Sequence, residues 1–222
     1  MTVSYEVAKP FDSGEVIRLL AGGFSTSEPP AVAMGLSMEE FEQFLDALAL
    51  AVIPEELTLV ARSVDTGRLV GVLLTDDFGN PPGIDLGRIS PKFLPIFAML
   101  ELLDEQFRKE MTICRGQWLH LFMLAVDEEF AGRGIGQELI KRCIENGYRR
   151  GYRTALTEAT GRVSQHIFRK NGFVQRFCVP YRSFMYEGRL VFASIQGHEG
   201  AMLMDRSLEP CPASGSGAAT YE

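Results

Sequence analysis

The chain contains 222 residues, of which 46% are hydrophobic and 23% are charged, and its formal net charge is −7. This length suits one large domain better than two, and the composition is that of an ordinary globular protein. An acidic chain is a poor match for nucleic acid, because phosphates require a basic face, and it favours a cationic substrate only weakly. No apolar run approaches the ~20 residues of a membrane span and no signal peptide is recognisable, so we predict no nucleic-acid or membrane partner.

The cysteines and histidines indicate neither disulfides nor a metal site. The cysteines lie far apart without a Cys-x-x-Cys pair, which favours reduced thiols and a cytoplasmic location. The histidines lack the spacing of metal ligands, so we predict no metal. These residues are Cys114, Cys143, Cys178 and Cys211, and His120, His166 and His198.

The first half of the chain predicts a strand, a helix, a polar loop, a second helix, a hairpin and a third helix. Alternating apolar residues define the strand and the hairpin, which turns at residues 65–67. Ser37 and Glu40 form a capping box that starts the second helix, whereas Pro95 is expected to interrupt the third. The predicted strand spans residues 3–8, the first helix 11–20 and the polar loop 22–30. The hairpin spans residues 57–63 and 68–74, a surface loop 76–91, and the third helix 93–108.

The second half is organised around a nearly all-apolar segment, residues 119–126, which predicts a strand buried on both faces. Strands and helices alternate after it, which gives a mixed α/β sheet, mostly antiparallel, with helices on both sides. The predicted ranges are a helix that ends near Gly147 or Gly151, strands at 154–159, 173–180, 189–195 and 201–207, and a helix at 163–170. We predict one domain over residues 1–208 and a flexible tail over 209–222.

A glycine-rich turn follows the central strand and precedes a helix. Gly132, Gly134 and Gly136 leave backbone N–H groups exposed at the positive end of that helix, an arrangement suited to a phosphate. The turn is not a P-loop, because no Gly-Lys-Ser/Thr follows, and it lies too late in the chain for a dinucleotide fingerprint. A turn that only reverses the chain is the alternative.

Residues 126–139 resemble the acetyl-CoA-binding motif of the GNAT superfamily of N-acetyltransferases, Gln/Arg-x-x-Gly-x-Gly/Ala. Gly134 and Gly136 fit this motif, whereas Ala131 occupies the leading Gln/Arg position and Arg133 is the candidate to replace the lost charge. Residues 171–173 are similar to the x-Gly-Phe that ends the next helix in the superfamily. The resemblance implies a GNAT fold, with a sheet of about seven strands splayed at its central strands by a β-bulge.

The same resemblance implies acetyl-CoA as co-substrate and assigns its binding residues. The backbone of Leu124, Ala125 and Val126 is expected to pair with the pantetheine arm. The turn is expected to hold the pyrophosphate, through Gly132, Arg133, Gly134, Ile135, Gly136 and Gln137.

Over residues 3–208 the chain resembles the insect-type arylalkylamine N-acetyltransferases, through residues 24–30, 160–173 and a C-terminal segment. The C-terminal matches are Tyr181, Gly188, Val191, Phe192 and His198. This resemblance implies Glu28 as the general base, acting on the ammonium through ordered water. A carboxylate whose pKa is raised by burial can accept that proton, and Pro29 would fix its direction. The alternative is a solvated loop glutamate.

Thr160 and Ser164 lie four residues apart and can share a face at a helix N-terminus. Either hydroxyl could hydrogen-bond the departing CoA sulfur or return a proton to it, and helix capping is the alternative. Phe168 occupies the position at which many members of the superfamily carry a tyrosine acid.

His120 and Glu158 are two further catalytic candidates. The vertebrate arylalkylamine enzymes carry His-x-His on the equivalent strand, and His120 is the one histidine here, a possible proton carrier. A packed structural histidine is the more frequent situation. Glu158 is a rival base, although a surface charge is the more frequent situation for a glutamate.

These residues predict an enzyme that transfers acetyl from acetyl-CoA to the primary amine of a small molecule by direct attack, with an arylalkylamine as first candidate. A polyamine, an aminoglycoside or a peptide amine is the alternative acceptor. A non-catalytic acyl-CoA sensor is the alternative function, since Ala131 departs from the motif. The sequence leaves open whether the protein is a monomer or a homodimer.

Overall fold

The computed structural model describes residues 2–83 and 85–208, so the predicted tail lies outside the described residues. Seven strands form one open sheet in the order β1-β2-β3-β4-β5-β7-β6. Neighbouring strands are antiparallel except β4 and β5, which are parallel. The strands are β1 Val3–Val7, β2 Leu59–Ser63, β3 Leu69–Asp77, β4 Trp118–Val126, β5 Thr154–Ala159, β6 Val174–Pro180 and β7 Gly200–Ser207.

Helices cover both faces of this sheet, as its buried strands require. Two apolar clusters result, one beneath the first four helices and one beneath α5 and α6. The helices are α1 Ser13–Ser27, α2 Pro29–Met34, α3 Met38–Val52, α4 Leu94–Glu110, α5 Ile135–Arg149 and α6 Arg162–Lys170. Among the described helices, none is both long enough and apolar enough to cross a membrane.

A β-bulge divides the central strand β4 into two parts. The register with β3 shifts between Leu74 and Thr75, which pair with Met123 and Leu121 and leave Phe122 as the extra residue. The bulge exchanges the two faces of the strand, so that Leu121 packs beneath α5 but Met123 packs beneath the first helices. Side chains of β4 enter both clusters on either side of the bulge, so the strand is apolar on successive residues because both of its faces are buried.

The sheet opens just beyond the bulge. The parallel pairing of β4 with β5 consists of three residue pairs, of which His120 with Leu156 is the last. One edge of β4 therefore lacks a neighbouring strand from the bulge to Val126. The predicted mixed sheet with splayed central strands is confirmed, and the opening creates the space for a site.

Two predicted elements are wrong. The loop at residues 22–30 is helical as far as Ser27 and again from Pro29, because Phe24 packs on the core, and the hydroxyls of Thr26 and Ser27 donate to backbone carbonyls one turn earlier. The strand at residues 189–195 is instead a series of turns, in which Phe192 is fully buried against Phe184 while Val191 and Ile195 are partly buried, so the buried side chains do not alternate.

Two smaller corrections concern β3 and α4. Strand β3 runs to Asp77, so the first two residues of the predicted surface loop belong to the sheet and are buried. Pro95 lies in the first turn of α4, where its missing N–H has no intrahelical partner to lose, so it does not interrupt the helix.

Candidate functional site

A groove with a volume of about 660 Å³ occupies the opening between the splayed strands. Its walls are the end of α1, the second half of β4, the glycine turn and the start of α6. The lining residues are Gly23, Phe24, Ser27, Glu28, Pro29, Leu124, Ala125, Val126, Phe130, Ala131, Gly132, Gly134, Ile135, Gly136, Gln137, Thr160, Gly161, Val163, Ser164, Ile167 and Lys170. Three segments that are separated in sequence, residues 23–29, 124–137 and 160–170, therefore meet at one groove.

The glycine turn presents bare backbone to this groove. Gly132 and Gly134 have φ angles of +73° and +78°, a region that side chains with a Cβ rarely adopt, and a Cβ at either would point into open space. The first hydrogen bond inside α5 runs from Glu138 N to Gly134 O at 3.0 Å. The N–H groups of residues 135–137 therefore have no partner within the helix and lie at its positive end. These residues fit a diphosphate.

The free edge of β4 forms the next part of the wall. Leu124, Ala125 and Val126 line the groove just where β5 has diverged. Their backbone on that side is available to an extended chain that carries amide groups, as a pantetheine arm does. The edge and the turn are contiguous, so the predicted donor residues do lie together.

Arg133 does not line this groove. Its guanidinium lies 5.1 Å from the centre of the Phe130 ring and donates a hydrogen bond of 3.0 Å to Glu129 O. Ala131 lines the groove and brings no charge. The cation in the wall is Lys170, at the end of α6, which sequence reasoning missed although the residue directly precedes the recognised 171–173 segment.

Glu28 stands between two helices that meet at the mouth of the groove. It ends α1 and begins α2, where its carboxylate Oε2 accepts a hydrogen bond of 2.6 Å from Ala31 N. Pro29, in the first turn of α2, fixes the backbone after it. Burial raises the pKa of Glu28 to about 7, although hydrogen bonds from the Thr160 hydroxyl and from Ala31 N oppose the shift. The carboxylate is thus anchored and half-buried, unlike that of a solvated loop glutamate.

A second, smaller pocket of about 60 Å³ adjoins the groove. The two cavities share three lining residues, Phe24, Glu28 and Thr160. Six phenylalanine rings from α1, α3, α4, β4 and the segment before α4 surround the pocket. Its lining residues are Phe24, Glu28, Phe41, Phe44, Phe93, Ile96, Phe97, Leu100, Phe122, Met123, Glu158 and Thr160. The sequence analysis did not identify this pocket.

Thr160 and Ser164 both line the groove, Thr160 just before α6 and Ser164 in its first turn. Thr160 precedes the helix, and its hydroxyl bonds to Glu28. The Ser164 hydroxyl donates to Gly161 O at 2.9 Å and accepts from Gly161 N at 3.3 Å, so it caps the helix as the structural alternative predicts. Each hydroxyl is both anchored and exposed to the groove.

His120 lies in a buried row of ionisable groups outside the groove. Its Nδ1 lies 2.9 Å from Asp76 Oδ1 and its Nε2 lies 2.7 Å from Glu158 Oε2. Burial alone would lower the pKa of His120, but the charges of Glu158 and Asp76 raise it well above its ordinary value. The ring is therefore a cation with both N–H groups paired, which is the packed histidine of the structural alternative. It lines neither cavity.

Glu158 is not the surface charge that its sequence position suggested. Its side chain is only 4% exposed, because β5 lies inside the sheet between β4 and β7. Over residues 2–83 and 85–208, no group of three or more His, Cys, Asp or Glu side chains is arranged to hold a metal ion.

The fold and the groove define a class of proteins, those that bind an acyl carrier with a diphosphate between splayed strands. Solved structures share this fold. The C-terminal condensation domain of Ebony, in complex with beta-alanyl-dopamine, has a TM-score of 0.86 at 17% identity and covers 93% of this chain and 99% of its own. Arylalkylamine N-acetyltransferase 2 from Aedes aegypti has a TM-score of 0.81 at 24% identity, covering 94% and 100%. The polyamine N-acetyltransferase of Drosophila melanogaster has a TM-score of 0.71 at 16% identity, covering 93% and 100%.

A family model decides the identity more directly. The model of the acetyltransferase (GNAT) family matches residues 27–173, a span that begins just before Glu28 and contains the glycine turn and α6. The chain belongs to the acetyltransferase (GNAT) family. The predictions of a GNAT fold, of an N-acetyltransferase and of acetyl-CoA as its co-substrate are confirmed.

Proposed function

We propose that residues 1–208 form one catalytic domain that acetylates the primary amine of a small molecule carrying an aryl group, with Glu28 as general base. One observation carries this proposal. Glu28 lies in the wall shared by a groove suited to acetyl-CoA and a small pocket lined by aromatic rings. An amine bound beside this carboxylate would lie between its own ring and the acetyl donor.

The chemistry requires a base at that point. An alkylammonium has a pKa near 10 and must lose a proton before its nitrogen can attack a carbonyl. A carboxyl with a pKa of about 7 is about half ionised at neutral pH, and its ionised form is a stronger base than an ordinary glutamate. The hydrogen bonds from Ala31 and Thr160 hold its oxygens in place, so the proton transfer needs no rearrangement of the base.

The groove residues would position acetyl-CoA without forming a covalent bond to it. Acetyl-CoA supplies the activated acetyl group. The N–H groups of residues 135–137 would hold the diphosphate, and the edge from Leu124 to Val126 would align the pantetheine arm. Thr160 and Ser164 lie across the groove from this edge, so either hydroxyl is a candidate to hydrogen-bond the departing sulfur.

The second pocket favours an arylalkylamine over the other acceptors. Its six phenylalanine rings interlock, with centroid distances of 5.1 Å between Phe41 and Phe93 and 5.7 Å between Phe93 and Phe97. A ring gains edge and face contacts in such a pocket, whereas the many hydroxyls of an aminoglycoside or the backbone of a peptide would lose hydration without compensation. The pocket has room for only one small group.

The test is thiol release from acetyl-CoA across a panel of phenethylamine, tyramine, spermidine and a short peptide, between pH 5.5 and 9.5. We expect turnover of the arylalkylamines and an acidic limb in kcat/KM with a midpoint near pH 7. Glu28→Gln should lower kcat/KM by roughly 10²–10⁴-fold and abolish the limb, because the amide cannot accept a proton.

Glu145→Gln is the matched control, since Glu145 is exposed on α5 and lines neither cavity. It should leave the profile as in the wild type. An unchanged rate and limb in Glu28→Gln would refute the assigned base. CoA binding without thiol release from any amine would instead favour the non-catalytic sensor.

A further inference from the structure

The second pocket is narrow for the acceptor proposed above. Its volume is about 60 Å³, whereas an apolar cavity that holds a benzene ring measures roughly 150 Å³. An aryl group therefore enters only as far as the rings of the wall move apart or the adjoining groove takes the rest of it. The contacts that hold these rings in place consequently limit which acceptors fit.

Two pairs of phenylalanine rings form adjoining walls of this pocket. Phe41 and Phe44 come from α3, whereas Phe93 directly precedes α4 and Phe97 lies in its first turn. The ring centroids of Phe93 lie 5.1 Å from Phe41 and 5.0 Å from Phe44, and those of Phe44 and Phe97 are 5.6 Å apart. The width of the pocket thus depends on how the start of α4 is held against α3.

Polar residues next to these rings join the same two elements. Lys92 directly precedes Phe93, and Glu40 directly precedes Phe41. Lys92 Nζ donates a hydrogen bond of 2.9 Å to Glu40 Oε2, and Ser90 Oγ donates one of 2.7 Å to Glu40 Oε1. Both oxygens of one carboxylate on α3 therefore bind the segment before α4. We call Glu40, Ser90 and Lys92 the clamp.

The clamp also reaches the helix that begins at Glu28. Lys92 Nζ donates a second hydrogen bond, of 2.8 Å, to the backbone oxygen of Gly35, the residue that ends α2. This helix spans only Pro29–Met34, and the proposed base is its first cap. A single ammonium therefore ties the end of α2 and the start of α3 to the segment before α4.

The other hydrogen bonds of the clamp stay within single elements. Ser37 N donates to Glu40 Oε2 at 2.8 Å in the capping box, and Ser90 accepts from the backbone N–H groups of Lys92 and Phe93. Loss of the Lys92 ammonium leaves these bonds in place, so both helices should begin as before. The Lys92 side chain is 42% exposed, and an ion pair so exposed adds little to global stability. The clamp therefore affects the relative position of the rings more than folding.

We propose that Lys92 is a positioning residue for the acceptor, which holds the ring of Phe93 against α3 and so limits the size of the aryl group that the pocket accepts. This proposal rests on the proposed function, since it takes the second pocket as the acceptor site. Without the ammonium, the segment before α4 can move away from α3. The pocket then admits a larger ring and loses contacts to a smaller one.

The test compares phenethylamine with tryptamine, which carries a larger, fused ring. We expect the wild-type protein to favour phenethylamine by about tenfold or more in kcat/KM, measured by thiol release, and in affinity for the CoA-bound protein, measured by calorimetry. In Lys92→Met, which keeps an apolar side chain of similar length, both ratios should fall by about fivefold or more. The change should appear in KM, while kcat for phenethylamine and the affinity for CoA stay within about twofold of the wild type.

Two further variants protect this test from trivial explanations. Lys109→Met removes the same charge from an exposed position of α4 that lines neither cavity, and its ratios should stay at the wild-type values. Glu40→Gln keeps a side chain that can complete the capping box but removes the charge that holds Lys92. Its ratios should also fall, so it replaces Lys92→Met if that variant fails to unfold cooperatively. The double variant should match Lys92→Met within about twofold, because both substitutions remove the same contact.

The outcomes separate the two proposals. Turnover of both amines with ratios that Lys92→Met leaves unchanged overturns the role of Lys92 and leaves the proposed function standing. Absence of turnover, combined with a binding ratio that shifts in Lys92→Met but not in Lys109→Met, supports the role of Lys92 and refutes the proposed function. An equal shift in Lys109→Met, or effects of Glu40→Gln and Lys92→Met that multiply in the double variant, overturns the role of Lys92. Binding of neither amine overturns both proposals.

Discussion

The groove and the second pocket, which is lined by six phenylalanine rings and is called the aromatic pocket below, share a wall but are built from different parts of the chain. The part of the groove proposed to hold the co-substrate is backbone of the glycine turn and the free edge of β4, which are continuous in sequence, and the ends of α1 and α6 complete its walls. The pocket is formed by side chains that five separate segments contribute. Backbone groups suit a co-substrate that never varies, whereas side chains can change with the acceptor while the backbone stays the same.

Three residues form the wall that the two cavities share. Glu28, Thr160 and Phe24 line both cavities, so the proposed base contacts the constant and the variable substrate together. Substitutions on either side of this wall should therefore affect one substrate and spare the other. Substitutions within it should affect both catalysis and stability.

The largest expected effect on binding or stability concerns the groove. Gly134→Val places a β-branched side chain at a φ of +78° and points it toward the diphosphate position, so we expect the affinity for CoA to fall about 100-fold, or about 2.7 kcal/mol. Calorimetric titration with CoA measures the change. Gly67→Val is the control, because Gly67 has a φ of +70° and open space around it in the distant β2–β3 turn.

Both variants should lose stability through the same backbone strain, roughly 1–3 kcal/mol. Only Gly134→Val should lose CoA affinity. Equal CoA affinities for the two folded variants would show that the turn does not bind the diphosphate.

The second effect concerns the shared wall and is a change in stability. The pKa of Glu28 is about 7 in the folded protein against an ordinary value of 4.5, so the folded state holds the proton more tightly and loses stability as pH rises from 4.5 to 7. Glu28→Gln should therefore be more stable than the wild type at pH 8 by about 1–3 kcal/mol, and similar to it at pH 4. Urea unfolding at both pH values measures this.

Glu40 provides a control of opposite sign. A hydrogen bond from Ser37 N–H, followed by those from Ser90 and Lys92, lowers the pKa of Glu40 to about 2. Its contribution to stability is present above pH 4.5 and is lost as pH falls toward 2. Glu40→Gln should thus be less stable than the wild type at pH 8, and a stabilising effect there would contradict the lowered pKa of Glu40.

The smallest effect concerns the pocket. Phe97 stacks on Phe93 at an interplanar angle of 14° and lines the pocket from α4. Phe97→Ala should raise KM for phenethylamine about tenfold, or about 1.4 kcal/mol, through loss of ring contact, and should leave CoA affinity intact. Phe11→Ala is the control at a ring that is 83% exposed. A weakened affinity for CoA in Phe97→Ala would show that the two cavities do not bind their substrates independently.

Local patterns in the sequence predicted the elements that depend on local physics. The capping box at Ser37 does start α3, with hydrogen bonds in both directions between Ser37 and Glu40. The glycine turn does precede a helix whose first N–H groups are free of intrahelical partners. Both depend on residues a few positions apart, which is the range over which sequence patterns carry information.

Predictions failed where distant contacts overrule a local preference. Gly22 and Gly23 suggest a loop, but packing of the following Phe24 against α3, with a ring distance of 6.0 Å to Phe41, extends α1 by another turn. Glu158 reads as a surface charge in isolation, yet the position of β5 inside the sheet buries it against His120. Neither result is encoded within ten residues of the site concerned.

The sequence by itself determined the glycine turn that precedes a helix, because glycine φ angles and helix ends are properties of a short stretch of chain, and its resemblance to known acetyltransferases gave the family and the residue proposed as base. Only the tertiary structure decided the acceptor pocket. Its rings and the Glu158 carboxylate come from α1, α3, α4, β4 and β5, and they meet only because the bulge at Phe122 and the divergence of β5 open the sheet at that point. Side chains so far apart in sequence acquire a common function from packing alone.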